Sequence, residues 1–125
     1  MTFILLDAGS VEALHDMVLN PGELQGRARD KSLEGALGRV DNRLIYGMIG
    51  DVFNLAAAYA TAISTGHCFN DASKRTAYRA MLVCLQLNGI RIDHDTAEVG
   101  DRIIALAQGL IGEEAMADWL RMKAR

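Results

Sequence analysis

Six consecutive apolar residues, Ala80-Met81-Leu82-Val83-Cys84-Leu85, sit inside a run from Arg75 to Asn88 that reads as helix. A helix that is apolar on every side has no face to give to water, so other elements must surround it. That requirement predicts an all-α bundle around a central buried helix, with 76–88 the most buried stretch and more than half the residues helical. Asn88-Gly89 supplies a stop for this helix. Composition agrees: half of the residues are hydrophobic but only 6% aromatic, and the single proline, Pro21, leaves nearly the whole chain free to be helical. A chain of 125 residues is large enough to bury its own core as one domain, 1–125.

The remaining helices follow from periodicity. Val11, Leu14 and Val18 recur at helical spacing between about Ser10 and Asn20, with Ser10 placed to cap; His15 lies beside that apolar face and reads as a packed or half-exposed histidine. Asn20-Pro21-Gly22 ends the run, and the polar, glycine-containing stretch to Asp30 is a loop. Arg29 and Asp30 are placed to pair with each other or to cap the next helix. Leu33, Leu37, Val40 and Leu44 mark that helix as amphipathic, and Gly47 to Gly50 break it. A helix is expected from about Asp51 to Thr65, with Phe53, Ala56, Ala60 and Ile63 on one face. Two more are expected at about Thr96–Gln108, with Val99, Ile103 and Leu106 inward, and at about Gly112–Lys123, with Met116, Trp119 and Leu120 inward. The last starts on Glu113-Glu114 and ends on cations, as the helix dipole favours. Phe3 to Leu6 and Ile90 to Ile92 suit short extended pieces, and His94 between two aspartates suits a turn rather than a metal site.

Chemistry concentrates at the seam Gly66-His67-Cys68-Phe69-Asn70-Asp71-Ala72-Ser73-Lys74-Arg75. Gly66 can end one helix in a left-handed conformation. Residues 71–74 fall at the start of the next, where unpaired N–H groups and the dipole attract phosphates. Lys74 and Arg75 add charge at the same spot. Asp71 could hold Mg2+ against a nucleotide phosphate, and His67 could take a proton from an attacking hydroxyl. Singly, each residue has a plainer reading: a structural histidine, a helix cap, a solvated cation pair. Their coincidence at one helix start favours a site.

The same stretch resembles the Fic/Doc family signature His-x-Phe-x-(Asp/Glu)-(Gly/Ala)-Asn-(Gly/Lys)-Arg at every place except Ser73, which stands where the family has Asn. Lys74 in the penultimate place resembles the Doc toxins more than the adenylylating Fic enzymes. Arg75-Thr76-Ala77, Leu87-Asn88-Gly89-Ile90, Gly26-x-x-Arg29-Asp30, Leu33-Glu34-x-Ala36-Leu37 and Leu55-Ala56-Ala57-Ala58-Tyr59-Ala60 are also Doc-like, so the resemblance runs from about residue 10 to 110. It implies a Fic-fold bundle and an enzyme that transfers phosphate from ATP to a hydroxyl of a target protein. In Doc toxins the target is a threonine of elongation factor Tu, and translation stops.

By the same resemblance His67 would be the base and Asp71 the Mg2+ ligand. Lys74, Arg75 and the backbone N–H groups around Ala72 and Ser73 would hold the phosphates. Phe69 would anchor the loop, Asn70 would shape the turn, and a flap near 22–30 would dock the target segment. A Phd-type antitoxin is the implied partner, its disordered tail folding against the toxin. Two alternatives stay open: AMP transfer of the Fic type, and a catalytically weakened binding module. Ser has a shorter reach and one donor where Asn has two, which leaves full activity, weakened activity and loss of catalysis all open.

Net charge is −3, with no long basic stripe, which disfavours direct nucleic-acid binding. Cys68 and Cys84 lack metal-ligand spacing and read as reduced thiols of a cytoplasmic protein. The opening residues lack a basic segment and a long apolar run, so neither a signal peptide nor a membrane span is expected.

Overall fold

The computed structural model describes residues 2–29 and 31–125. Six helices carry the fold: α1 (Ala8–Val18), α2 (Leu33–Ile45), α3 (Val52–Gly66), α4 (Ser73–Leu87), α5 (Thr96–Ala107) and α6 (Glu113–Lys123). Among the described residues there is no strand, only two isolated antiparallel bridges, Arg27 with Phe69 and Ile92 with Ala124. The architecture is all-helical, as the apolar run required.

The centre is α3 rather than α4. Helix α3 packs against α2, α4, α5 and α6, whereas α4 packs against α1, α3 and α5. Leu55 through Ala60, Ile63 and Ser64 are buried around its whole girth. The cause is size: the alanines let four neighbours approach closely, and Leu55, Tyr59 and Ile63 fill the gaps. Stretch 76–88 is therefore not the most buried, because Arg79, Gln86 and Leu87 reach solvent and Val83 is half-buried. Ala80, Met81, Leu82, Cys84 and Leu85 do lie in the core.

Side-chain caps set most helix starts. Asp7 accepts the Ser10 N–H at 2.7 Å, so Asp7 rather than Ser10 caps α1, and the helix begins at Ala8, two residues before the expected start. Ser32, Asp51 and Asp95 cap α2, α3 and α5 in the same way. Each such cap contributes about 1 kcal/mol. With Ser32 in that position Arg29 does not cap α2; Asp30 lies outside the described residues.

The two expected extended pieces are held without a sheet. The Asn88 side chain accepts the Ile4 N–H at 2.7 Å and donates to the Ile4 carbonyl at 3.0 Å, standing in for a strand partner. The Leu6 N–H donates to the Tyr59 hydroxyl at 3.1 Å. Around Ile92, Asp93 N–H donates to the Lys123 carbonyl at 2.7 Å and Arg125 N–H to the Arg91 carbonyl at 2.9 Å. No helix among the described residues is long and apolar enough to cross a membrane. Both cysteines are free and buried.

Candidate active site

The α3–α4 turn begins with a correction. Gly66 stays inside α3, and the left-handed residue is His67, at φ 51° and ψ 38°. Gly66 serves closeness instead: a Cβ there would sit 3.1 Å from the Cys68 Sγ. The turn at His67 leaves its imidazole exposed while Cys68 and Phe69 drop into the core. His67 and Cys68 thus face opposite ways and form no nucleophile pair, and burial pushes the Cys68 thiol up.

Phe69 is buried, as expected for an anchor, and its ring stacks on His15. Asn70 is exposed and donates to the Arg27 carbonyl at 3.3 Å, shaping the turn. Asp71 is half-buried; one carboxylate oxygen accepts the Leu24 N–H at 2.8 Å. Ala72, not Asp71 or Ser73, is the N-cap of α4, in the left-handed region at φ 65° with no side-chain cap bond. The Ala72 Cβ makes that conformation costly for an L-residue, so the surrounding structure must hold it. Ser73 is the first helical residue, and its hydroxyl reaches the Phe69 carbonyl at 3.5 Å. Lys74 is exposed and forms no ion pair among the described residues.

Arg75 is placed differently from a free phosphate ligand. Its guanidinium donates to the Val18 carbonyl and to the Glu23 carboxylate. Glu23 is held below the usual carboxylate range by that Arg75 bond first and by the Asn20 N–H second. The loop between α1 and α2 is thereby fastened along the whole signature: Glu23 to Arg75, Leu24 to Asp71, and Ala28 N–H to the Cys68 carbonyl at 2.8 Å. Arg27 anchors the far side of this loop on Glu12 of α1 and Glu34 of α2.

His67, Phe69, Asn70, Asp71, Ala72, Ser73, Lys74 and Arg75 together line an open cleft of about 370 Å³. A larger cavity of about 580 Å³ lies at the far end of α4, where His94 and Arg125 join Leu82, Leu85, Ile90 and Ile92. Unlike the smaller cleft, it combines no carboxylate with a helix start. The expected site residues are therefore gathered in one place. Sequence reasoning missed Glu23, whose partner Arg75 is remote in the chain, and Arg27, whose partners lie on two different helices, and undervalued His15. The available signal for His15 was its place one turn after Val11, on a stripe that is otherwise apolar.

An uncapped helix start, an exposed histidine and one carboxylate thus share one cleft on a helical bundle, an arrangement chemically suited to an anion beside a group able to take a proton. The Fic/DOC family model matches residues 5–85. The chain is also 39% identical over 110 residues to "Protein kinase doc" of Escherichia phage P1, covering 87% of this chain and 86% of that protein. It belongs to the Fic/DOC family.

Proposed function

We propose that this chain is a Doc-like toxin, a single domain over 1–125 that transfers the γ-phosphate of ATP to a hydroxyl of a target protein. The observation that carries this reading is that exposed His67 and the uncapped start of α4 line the same cleft. Similarity to a phage protein named as a protein kinase supports it, and so does Lys74 in the Doc-like place.

In this reading the target hydroxyl lies against His67, which removes its proton as the oxygen attacks the γ-phosphorus. ADP leaves in line, and the N–H groups at the start of α4 with Lys74 take the charge that builds on the phosphate oxygens. Arg75 contributes by holding the loop as much as by its charge. Asp71 suits Mg2+ that arrives with the nucleotide. No cluster of three metal-ligating side chains occurs among the described residues, and magnesium is commonly held by one or two carboxylates plus substrate phosphates. The bound ion would neutralise phosphate charge and orient the nucleotide. The segment 22–30 is the flap against which a target segment docks. Elongation factor Tu, modified on a threonine in the cytoplasm, is the proposed target, and a Phd-type antitoxin the proposed restraint.

The test is incubation of the protein with elongation factor Tu and magnesium-ATP labelled at either the γ- or the α-phosphate. Transfer of γ label is expected, weak in the wild type and stronger in Ser73→Asn. Transfer of α label would replace the kinase reading with AMP transfer. No transfer from either protein would leave a binding module.

A further inference from the structure

His15 lies on α1, outside the signature, and is fully buried. Its ring stacks on Phe69, with centroids 3.9 Å apart and planes 9° apart. Its Nε2 lies 2.8 Å from the backbone carbonyl oxygen of Asp71. A carbonyl can only accept, so Nε2 carries the proton and donates.

That carbonyl belongs to the peptide joining Asp71 to Ala72, which is trans, since there is no cis bond among the described residues. In a trans peptide the N–H points opposite to the C=O. The Asp71 carbonyl turns inward to buried His15, so the Ala72 N–H turns away from it, toward the cleft that Ala72 lines. The Ala72 N–H has no acceptor among the described residues. Meanwhile Ala72 sits at φ 65°, a conformation that an L-residue resists. Flipping this one peptide would change φ of Ala72 and relieve the resistance. It would also carry the N–H away from the cleft.

We propose that His15 is a positioning residue that locks the 71–72 peptide, so that the Ala72 N–H is presented to a phosphate oxygen. The inference rests on the phosphotransfer reading of the cleft for its ligand, but the lock itself does not need it. Stacking on Phe69 holds the imidazole in place, and the Nε2–H bond holds the peptide. The Leu24 N–H on the Asp71 carboxylate fixes the side chain of that residue but not the plane of the peptide after it.

Two substitutions separate the parts. His15→Phe keeps a ring against Phe69 and removes the donor; His15→Gln keeps an amide donor at similar reach and removes the ring. Backbone chemical shifts and the amide–α coupling of Ala72 report its φ without any ligand. Ala72 is expected to leave the left-handed region in His15→Phe and to stay there in His15→Gln. Magnesium-ATP titrated against the Ala72 and Ser73 amides should bind about tenfold more weakly to His15→Phe, the size of one buried hydrogen bond. It should bind near wild-type strength to His15→Gln.

A left-handed Ala72 in His15→Phe overturns the inference, and so does a His15→Gln that behaves like His15→Phe. If His15→Phe does not fold, imidazole nitrogen shifts of the wild type decide: a proton on Nδ1 with none on Nε2 overturns it. If the wild type binds no magnesium-ATP while φ of Ala72 still follows the donor at position 15, the phosphotransfer reading fails and the lock stands.

Discussion

At the scale of single residues, the site is built from conformations that the chain would not choose for itself. His67 and Ala72 both occupy the left-handed region without being glycine, and such residues gather where surrounding structure forces them. His67 illustrates the conflict between stability and chemistry. Its left-handed backbone is what leaves the imidazole exposed, yet glycine would adopt that conformation without strain. His67→Gly should therefore raise stability by up to about 1 kcal/mol, after allowing for the greater freedom of glycine in the unfolded chain. The same substitution should remove phosphoryl transfer, because the base is gone. Urea unfolding beside a γ-label transfer assay checks both. A protein that loses stability and keeps transfer would contradict the assignment of His67.

At the scale of elements, helices were legible and their mutual service was not. Val99, Ile103 and Leu106, or Met116, Trp119 and Leu120, announce a buried stripe by spacing alone, and those helices lie within a residue or so of where periodicity puts them. The gathering of His67, Asp71, Lys74 and Arg75 was equally readable, because ten consecutive residues need no tertiary contact to meet. Rank among buried helices was not readable, since alanine marks a crowded helix only through what its neighbours do. The same limit hid the loop between α1 and α2, which is polar in sequence but fastened by Glu23 and Leu24 to residues about fifty positions away.

Glu23→Gln should loosen that loop. Faster hydrogen exchange at the Leu24 amide and easier proteolysis at 19–29 are expected, with little change in the overall unfolding midpoint. Because Arg75 depresses the Glu23 carboxyl in the folded state, the tie is fully present above the ordinary carboxylate range. It is lost as pH falls through the folded value. Acid should thus loosen the wild-type loop by more than it loosens that of Glu23→Gln, which keeps only the remaining carboxylate ties such as Arg27 to Glu34; identical acid responses would remove Glu23 as the cause.

At the scale of the whole molecule, the core contains ionisable groups that folding keeps neutral. Tyr59 lies within α3, and burial pushes its hydroxyl from 10.0 up to about 12. Cys84 lies within α4, and burial pushes its thiol from 9.0 up to about 12. Above its ordinary value each group loses its proton in the unfolded chain while the folded chain still holds it. The unfolded state then binds fewer protons, so stability must fall as pH rises. The fall should begin near the ordinary thiol value, steepen near the ordinary phenol value and level off near the folded values. Tyr59→Phe removes one source and also the acceptor for the Leu6 N–H, so it should cost about 1 kcal/mol near neutrality. Its stability should then decline less steeply above about pH 10 than that of the wild type. Urea midpoints for the two proteins across the alkaline range measure the difference. Parallel curves above the phenol range would mean that the Tyr59 hydroxyl titrates alike in both states, and that α3 is not enclosed as its neighbours imply.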